Sequence, residues 1–588
     1  MAVVLGILGT DSGHHPAAAL LVDGRLIAFA EEERFTRHKG GIVPFPTRAT
    51  SWALAEASLA AADVDRVAYG WDCERYRWEM PLRFGWHHLK YRGQRKPPPT
   101  ALNTARGDGW VRGFTWLAQH RPGWVRHRIE QGLRDAGLSG AVPPVSFHAH
   151  HRCHAASAAW GSGRTRTAVL VADGSGENIS TSAWAAQGLE LTKLWDHALP
   201  DSLGWFYSAF TEYLGFMPNR HEGKLMGLAA YGRPRDEFVA AMAEILPIDG
   251  DGFRFEPSFS KYGHRSWGEH FSDRVVERFG QPRSDDAPFE AAHHDLAWAV
   301  QDRLEQALSA LARRTVRDAD CDALAVVGGI AMNCKANGVL DALPEVDELF
   351  VPPAADDAGA ALGAAMLAAV QLGDDPRTDA YPVATGPAVT ADDAERALRS
   401  AQLQAHTPAN LPDRVAELIA EGAVVGWVQG RMECGARALG RRSILASPTT
   451  AASRDRVNAQ VKFREAWRPF APSMTGSKAA TLLGHRRPRP HMLVADTLPE
   501  SQAHALAGVT HVDGSVRAQV VDRDEQPEYH ALLRALGRRT GHEAVLNTSF
   551  NLRGEPIVCS APDALRTFYS SGMDALVLGP WLLEKRAK

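Results

Sequence analysis

The chain begins with a short apolar strand that runs into a polar, glycine-containing turn, and this junction constrains the fold more than any other feature. Residues 2–9 predict a buried strand, and a hairpin follows with Asp23-Gly24 as its turn. The same unit recurs at Ala168–Asp173, where AVLVAD leads into GSGE, and a third such junction occurs in ALAVVGGIAMN, 323–333. Strands that feed glycine turns in two halves predict an α/β fold that holds a nucleotide between lobes.

Length, composition and charge restrict the class of protein. A chain of 588 residues predicts two or three domains, because a single hydrophobic core stops growing at about 250–300 residues. The net charge of −4 lacks the excess of positive charge that is typical of nucleic-acid-binding proteins. Six cysteines without a CxxC pair favour reduced thiols, and neither a signal peptide nor a membrane-spanning stretch is evident. We therefore expect a cytoplasmic protein with no nucleic-acid or membrane partner.

Changes in composition suggest where the domains begin and end. Residues 72–127 are tryptophan-rich and basic, and they predict an insert or lid that is either packed by its own aromatic residues or used for substrate. Residues 372–412 are rich in Asp, Pro and Thr with little periodicity, which is typical of a linker. We expect an N-terminal domain over 1–384, a linker over 385–412 and a second domain over 413–588.

Cations are concentrated in residues 430–473, among glycines and other small residues. They are Arg431, Arg437, Arg441, Arg442, Lys462, Arg464 and Arg468. Arginine forks match phosphate and carboxylate oxygens and stay protonated. The glycines and prolines of the GARALG and RPFAP segments argue against a solvated helix, because these residues favour turns and loops. The block therefore predicts a local anion-binding pocket, with a structural role left open for Arg441, Arg442 and Arg464.

His150 and His154 lie four residues apart at the start of a predicted helix and therefore share one helical face. Two imidazoles at this spacing can chelate a transition metal, and no glutamate follows the first histidine to support metalloprotease chemistry. Asp357 is the best candidate for a third ligand, and two histidines with one carboxylate suit Fe(II). From the residues alone, structural histidines and a helix-capping role for Asp356 and Asp357 remain open.

Several motifs in a fixed order extend this interpretation over nearly the whole chain. They are GHHPAAALLVDG, AEEERFTR, HHRCHAASAAW, DGSGE, EGKLMGLAAYG, GGIAMNCKANG, PPAADDAGAALGAA and two C-terminal blocks. In order and spacing the chain resembles the O-carbamoyltransferases of the NodU/CmcH/TobZ family, which includes antibiotic-tailoring enzymes. Two positions depart from the family pattern: Ala436 stands where proline is usual, and His15 follows His14 where aspartate is usual.

The resemblance implies a fold and a reaction for each domain. The N-terminal domain is expected to have an actin-like ATPase fold similar to that of the tRNA threonylcarbamoyltransferases, and the C-terminal domain a YrdC-like α/β fold. The C-terminal domain would convert carbamoyl phosphate and ATP, with Mg(II), to carbamoyl-adenylate. The N-terminal domain would then transfer the carbamoyl group to a hydroxyl of a natural-product acceptor in antibiotic biosynthesis. The resemblance also leads us to expect a divalent metal, Fe(II), and a homodimer.

The resemblance further implies a role for individual residues. The carbamoyl phosphate and ATP site would comprise Arg437, Lys462, Arg468, Arg517, Asn547 and Ser549. The adenylate in the N-terminal domain would be bound by Asp173, Gly174, Gly176, Gly328, Gly329 and Asn333. The metal ligands would be His150, His154 and Asp357, and His14 would act as the base in carbamoyl transfer.

Two other functions are compatible with the sequence. A tRNA threonylcarbamoyl transferase would share both folds, but the slightly acidic chain lacks a continuous basic stripe, and only the basic residues within 75–96 favour a tRNA partner. A non-catalytic nucleotide-binding scaffold would use the ATPase fold as a switch. The metal-like and phosphate-like residue sets in both domains argue against a scaffold.

Overall fold

The computed structural model describes residues 2–9, 15–41, 43–79, 121–260, 270–285, 287–484 and 487–585. The chain forms two compact units. The first contains Met1–Ile27 and Ile42–Tyr381, and the second contains Ala28–Gly41 and Pro382–Lys588. The second unit is therefore assembled from two segments that are far apart in the sequence.

The strands of the first unit form two five-stranded sheets and a small hairpin, and one strand, Arg25–Glu31, runs from the first unit into the segment Ala28–Gly41 of the second. In chain order they are β1 Val3–Leu8, β2 Ala17–Val22, β3 Arg25–Glu31, β4 Arg66–Tyr69, β5 Val145–Phe147, β6 Arg166–Gly176, β7 Ile179–Gln187, β8 Glu190–Ala198, β9 Ile248–Asp249, β10 Gly252–Phe253, β11 Ala323–Val327 and β12 Glu348–Phe350. The two large sheets have the orders β3-β2-β1-β4-β5 and β8-β7-β6-β11-β12. In each sheet the central strand pairs antiparallel with the next strand in the chain and parallel with a later one. The recurring unit predicted from the sequence is present, and the α/β class is confirmed.

Helices separate these strands. They are Thr47–Glu56, Pro122–Asp135, His150–Gly161, Leu203–Tyr213, Glu222–Ala229, Asp236–Ile245, Asp273–Phe279, Ala291–Ala319, Cys334–Asp341 and Ala358–Leu372, with 3-10 turns at Ala61–Asp63, Pro257–Phe259 and Gly329–Met332. The predicted hairpin turn is also confirmed, because Asp23 and Gly24 have φ values of 48° and 75°. Two residues with positive φ match the twist of a two-residue hairpin.

The helix Ala358–Leu372 lies at the centre of the first unit. It packs against β1, β2 and the helix His150–Gly161. Small residues allow this close approach, since a Cβ added to Gly363 would overlap the backbone oxygen of Cys153. A Cβ added to Gly6 would overlap the backbone oxygen of Ala361 in the same way. Gly363 thus sets the distance between the two helices that begin at the predicted metal ligands, and Gly6 sets the distance between β1 and the helix Ala358–Leu372.

The second unit is built on a seven-stranded mixed sheet. The strands of the unit, which include two two-stranded sheets, are β13 Ala388–Val389, β14 Val425–Val428, β15 Gly430–Arg431, β16 Arg442–Ala446, β17 Ala471–Thr475, β18 Asp496–Thr497, β19 Ser515–Val516, β20 Gln519–Val521, β21 Ala544–Ser549, β22 Ala575–Leu578 and β23 Trp581–Glu584. The large sheet has the order β20-β17-β21-β16-β14-β22-β23. The helices are Glu33–Thr36, Ala391–Ser400, Leu411–Ala420, Ala451–Arg456, Gly476–Leu483, Glu500–Ala505, Pro527–Thr540 and Ala561–Tyr569, and Val457–Lys462 forms a π-helical turn.

The observed boundaries differ from those expected from composition. The chain passes from the first unit to the second at Tyr381 and Pro382. The expected linker, 385–412, instead contains β13 and the helix Ala391–Ser400, whose Ala394 and Leu398 are buried in the core of the second unit. The polar composition reflects the exposed face of this amphipathic helix rather than an absence of structure. Within the expected insert 72–127, residues 80–120 lie outside the described residues.

Two chemical expectations can be compared with the structure. All six cysteines lie in the described ranges as free thiols. Among the described helices, none is both long and apolar enough to cross a membrane.

We predict that Gly363→Ala destabilises the protein by about 1–3 kcal/mol, because the added methyl overlaps the backbone of the neighbouring helix. Gly123→Ala is the matched control, since Gly123 also lies in a helix but has open space around its Cβ position. The control should change the free energy of unfolding by less than about 1 kcal/mol, toward stabilisation. Chemical denaturation of both variants measures the difference. Equal stabilities would contradict the close packing.

Candidate active sites

The first candidate site is a buried cluster of two histidines and two aspartates in the first unit. His150 and His154 come from the first turns of the helix His150–Gly161, and Asp357 directly precedes the helix Ala358–Leu372. Asp173 comes from β6. None of the four residues is more than 9% exposed. The structure therefore brings together the three predicted metal ligands and adds Asp173, which we had expected to bind adenylate.

The spacing of the four side chains fits a shared cation. His150 Nε2 lies 3.0 Å from His154 Nε2 and 3.4 Å from both Asp173 Oδ2 and Asp357 Oδ1. His154 Nε2 lies 3.4 Å from Asp173 Oδ2 and 3.7 Å from Asp357 Oδ1. Ligand atoms that each lie about 2.0–2.2 Å from one ion are separated by about 2.8–3.6 Å in tetrahedral or octahedral shells. The cluster has close to the dimensions of an N₂O₂ metal site.

Hydrogen bonding fixes how His150 faces this cluster. Its Nδ1 lies 3.3 Å from the backbone oxygen of Gly70. Because a carbonyl oxygen only accepts, Nδ1 carries a proton toward Gly70 and Nε2 faces the cluster. Burial lowers the pKa of His150, but the contacts with Asp173 and Asp357 outweigh burial and raise it. The two carboxylates thus hold positive charge at this point, as either a proton or a metal ion.

Glu177 supports the start of the helix that carries the histidines. Its Oε1 accepts the backbone N–H groups of His150, at 3.0 Å, and of Asp72, at 2.8 Å. Burial raises the pKa of Glu177 to about 7. A side-chain acceptor at a helix N-terminus satisfies donors that the helix itself leaves unpaired. Glu177 therefore anchors the backbone from which His150 extends.

The predicted adenylate-binding residues fall into two groups. Gly176 and Gly328 are required by packing. A Cβ added to Gly176 would lie 2.6 Å from the ring of His150, and a Cβ added to Gly328 would overlap the backbone oxygen of Ala172. Asn333 caps the helix Cys334–Asp341 through Ala336 N–H. Gly174 and Gly329 have no such backbone obstacle, since a Cβ at either would meet only side-chain atoms, at 3.7 Å and 3.0 Å. Gly174 and Gly329 are the two positions where a ligand could approach the backbone.

The predicted transfer base, His14, lies outside the described residues. Its neighbour His15, which replaces the usual aspartate, has a φ of 61° and pairs with Asp356 at 3.1 Å through Nδ1 and Oδ2. Burial raises the pKa of Asp356, but His15 outweighs burial and lowers it. His15 therefore contacts the carboxylate next to Asp357 rather than supplying a carboxylate of its own.

The second candidate site lies in the second unit at the end of β21. Lys462 closes the π-helical turn and is 5% exposed. Its Nζ donates to the backbone oxygens of Ser549 and Asn551, at 2.8 and 2.9 Å, and to Asn551 Oδ1 at 2.7 Å. Ser549 Oγ also donates to Asn551 Oδ1. Lys462 and Ser549 were predicted from the sequence, whereas Asn551 was not. Asn551 lies two residues after Ser549, beyond the end of β21.

Further cations surround Lys462 with little compensating charge. Burial lowers the pKa of Lys462 well below its ordinary value, and the charges of Arg464, Lys39 and Arg468 lower it further. Burial also lowers the pKa of Arg468, with Arg517 and Arg553 adding to the effect. Among the described contacts, Arg468 has one carboxylate partner, Glu465 Oε2, at 3.8 Å. Several mutually repelling cations at one place indicate an anion site.

Arg442 differs from these cations. It is fully buried, and its guanidinium donates to the backbone oxygens of Pro387, Gln429, Gly430, Arg441 and Cys559. These bonds leave it no role toward a ligand, so Arg442 is structural. Arg464, whose role was left open, donates to Asn458 Oδ1 at 2.7 Å and stacks on Phe470, yet it also adds charge beside Lys462.

Arg437 lies in a loop between β15 and β16 that wraps around a buried carboxylate. Glu433 Oε1 accepts the backbone N–H groups of Leu439, at 2.7 Å, and Arg442, at 3.2 Å. Asn547 Nδ2 donates to the backbone oxygen of Ala438 at 3.1 Å. Asn547, which we had expected to contact the ligand, thus also supports the loop that carries Arg437. Its Oδ1 is buried without a hydrogen-bond partner among the described residues.

Family comparisons match both units. Residues 5–366 match the family model described as "Carbamoyltransferase N-terminus", and residues 416–585 match "Carbamoyltransferase C-terminus". Together these models cover most of the chain, and the boundary between the two units, at Tyr381 and Pro382, lies in the gap between the two matches.

Relatives resemble the chain over most of its length. An uncharacterised Synechocystis protein is 35% identical, covering 99% of this chain and 97% of its own. The nodulation protein NolNO of Sinorhizobium fredii is 36% identical, covering 97% and 79%. The 3'-hydroxymethylcephem-O-carbamoyltransferase of Amycolatopsis lactamdurans is 32% identical, covering 61% and 64%.

Solved structures are more distant. An activator of 2-hydroxyisocaproyl-CoA dehydratase from Clostridium difficile, with bound ADPNP, is 11% identical, with a TM-score of 0.30 over 63% of this chain and 96% of its own. This similarity is too weak to support an argument, so the actin-like and YrdC-like folds remain predictions.

The family follows from the two family models and from the relatives. The chain belongs to the carbamoyltransferases and is a transferase enzyme.

Proposed function

We propose that this enzyme uses carbamoyl phosphate and ATP to carbamoylate a hydroxyl group of a small molecule, with one half-reaction in each unit. The observation that carries the proposal is the pair of buried, oppositely charged clusters. The cations around Lys462 suit phosphate and carboxylate groups, and the two aspartates beside His150 and His154 suit a metal ion. A carbamoyltransferase that first makes an adenylate requires both kinds of site.

In the second unit we propose formation of carbamoyl-adenylate. Hydrolysis of carbamoyl phosphate gives carbamate and phosphate. A carbamate oxygen then bonds to the α-phosphorus of ATP with Mg(II), and the bond to the β-phosphate breaks to release pyrophosphate. Arg468 and Arg517 would contact these anions, each charged contact contributing about 1.5–3 kcal/mol. Lys462, whose N–H groups donate to Ser549 and Asn551, would offset the repulsion between the anions through its charge. The oxygens of Ser549 and Asn551 hold the Lys462 ammonium at a fixed place.

In the first unit we propose transfer to the acceptor. The acceptor oxygen bonds to the carbamoyl carbon while the bond to AMP breaks, and His14 would take the hydroxyl proton. His150, His154, Asp173 and Asp357 would hold a divalent ion, for which we propose Fe(II), and that ion would supply charge stabilisation for the leaving phosphate. Glu177 and Gly70 hold His150 so that Nε2 faces the cluster.

The acceptor is proposed as a hydroxylated natural product in antibiotic biosynthesis. One relative is named for a hydroxymethyl cephem, which supports an alcohol on a small molecule as the acceptor class. Threonylcarbamoylation of tRNA would instead require threonine and bicarbonate. A scaffold would release no pyrophosphate. Pyrophosphate release is therefore assayed in two incubations, one with ATP and carbamoyl phosphate and one with ATP, threonine and bicarbonate. Release in the first alone supports the proposal, release in the second alone favours the tRNA enzyme, and release in neither favours a scaffold.

We predict that Arg468→Ala lowers pyrophosphate release by about a hundredfold or more, because it removes a half-buried cation that would stabilise the reacting anions. Arg396→Ala is the control in the same unit, since the Arg396 side chain is 68% exposed and pairs with Asp393. The control should retain wild-type release. A wild-type rate in Arg468→Ala would refute the anion site.

We predict that a variant with both His150→Ala and His154→Ala loses bound metal and the transfer reaction. Changes to groups that only orient metal ligands already reduce affinity by about 10–100-fold, so loss of two ligands should empty the site. Pyrophosphate release in the second unit should persist. Elemental analysis of the purified full chain measures the metal, with the exposed His127→Ala as the control. Full metal occupancy in the double variant would rule out the ligand assignment.

We predict that phosphate binding takes up protons at pH values between the pKa of Lys462 in the free protein and its higher pKa in the complex. In the ligand-free protein the pKa of Lys462 is lowered by burial and neighbouring cations. A bound phosphate dianion favours the ammonium form and raises that pKa, so between the two pKa values binding adds up to about one proton. Calorimetric titration with inorganic phosphate in two buffers of different ionisation enthalpy measures this uptake. Uptake that persists unchanged in Lys462→Met would contradict the assignment.

A further inference from the structure

The second unit incorporates an upstream segment, Ala28–Gly41, that contains the AEEERFTR motif and has no role in the proposed chemistry so far. Four of its charged residues are buried: Glu31, Glu32, Glu33 and Arg34, of which Glu31 is 5% exposed and Arg34 is 3% exposed. Charged side chains are seldom buried unless they are paired, because their removal from water costs several kcal/mol. Their partners therefore indicate why the segment is there.

Arg34 is held by two carboxylates of the same segment. Its Nε and Nη2 donate to Glu31 at 3.2 and 3.1 Å, and its Nη1 lies 3.0 Å from Glu33 Oε1. Burial lowers the pKa of Arg34, but the two carboxylates outweigh burial and raise it above its ordinary value. This forked arrangement fixes the orientation of the guanidinium and leaves the second N–H groups of Nη1 and Nη2 for other acceptors.

The second N–H of Arg34 Nη2 binds Gly435. Arg34 Nη2 donates to the backbone oxygen of Gly435 at 2.8 Å, and the backbone N–H of Gly435 donates to Glu31 Oε1 at 2.9 Å. One ion pair therefore binds both backbone polar groups of a single residue. Gly435 has a φ of 83° and lies two residues before Arg437. The chain turns into the Arg437 loop at the point where the ion pair holds it.

A second arginine of the segment holds the loop after β21. Arg37 donates to the backbone oxygens of Ile557, at 2.6 Å, and Pro556, at 2.9 Å. It also lies 3.4 Å from Asp563 Oδ1. This loop begins with Asn551, which holds Lys462. The segment thus contacts both of the loops that carry candidate anion-binding groups.

We propose that Ala28–Gly41 is a positioning element of the carbamoyl-activating site, in which the Glu31–Arg34 pair sets the Arg437 loop through Gly435. The inference rests on the proposed function of the second unit. Replacement of a buried ion pair by apolar residues often leaves stability unchanged, so such a pair is weak evidence for stability alone. Its directed contacts with one glycine at the entrance to the loop favour a positioning role.

The test uses full-length Glu31→Gln and Glu31→Ala proteins. Glutamine keeps an oxygen that can accept the Gly435 N–H, whereas alanine keeps none. Arg414→Gln is the control in the same unit, because Arg414 forms an ion pair with Glu584 away from both loops. Hydrogen exchange over residues 433–442 and over β14 reports the loop and the core. Pyrophosphate release at varied carbamoyl phosphate gives KM and kcat.

We expect faster exchange over 433–442 in Glu31→Ala, a smaller effect in Glu31→Gln, and no change over β14 or in the control. We expect KM for carbamoyl phosphate to rise at least tenfold in Glu31→Ala, with a smaller rise in Glu31→Gln. Unchanged exchange over 433–442 would overturn the inference. Faster exchange with unchanged KM and kcat would also overturn it, since the segment would then be structural only.

Failure of the proposed function has a different signature. If the wild-type protein releases no pyrophosphate, the carbamoyl-activating reaction is wrong whatever the variants do. The exchange measurement still decides the local claim, because it depends on the Gly435 contacts and not on catalysis. If Glu31→Ala does not fold, Glu31→Gln carries both measurements.

Discussion

Burial of charge is the constraint on which both candidate sites depend. Removal of an ion from water is unfavourable unless an opposite charge or several hydrogen bonds replace the solvent. In the first unit, Asp173 and Asp357 are buried beside two imidazoles and concentrate negative charge. In the second unit, Lys462 is buried beside Arg464 and near Arg468, which concentrates positive charge. Each cluster is therefore complementary to a ligand of the opposite sign.

The fold supplies the rigid positions that such clusters need. In the first unit, the metal-type ligands come from two helix starts and a central strand, and small residues hold the two helices in contact. In the second unit, Lys462 is held by oxygens at the end of a strand. Residues with one fixed position lose little entropy when they bind a ligand, which favours both affinity and catalysis.

The extent of sequence-based prediction differs between these features. Periodicity and glycine turns predicted the α/β class and the recurring strand unit, because both depend on local patterns. The helical spacing of His150 and His154 predicted that the two side chains lie together. Asp173 contacts them only because of how β6 pairs in its sheet, and that long-range contact could not be predicted from the sequence pattern. Asn551, two residues after Ser549 and beyond the end of β21, was not predicted. The residues 385–412 were interpreted as a linker because an amphipathic helix with a short apolar face has a polar composition.

The contribution of Ala28–Gly41 to the second unit was least accessible from the sequence. Its motif was recognised, but about four hundred positions separate Glu31 from Gly435, and only the tertiary structure places them 2.9 Å apart. The same holds for Arg442, which composition groups with the ligand-facing arginines and the structure assigns to backbone oxygens. Charge composition thus predicted a concentration of cations in this part of the chain, and only partly which of them lie beside Lys462.

The most direct test of the two-site account is to identify the activated carbamoyl species. The wild-type protein is mixed with ATP, Mg(II) and isotopically labelled carbamoyl phosphate, without acceptor, and is quenched within one turnover for mass spectrometry. The account predicts a carbamoyl-adenylate that carries the label and appears together with pyrophosphate. Formation of ADP and phosphate, or of AMP with no labelled adduct, would contradict it.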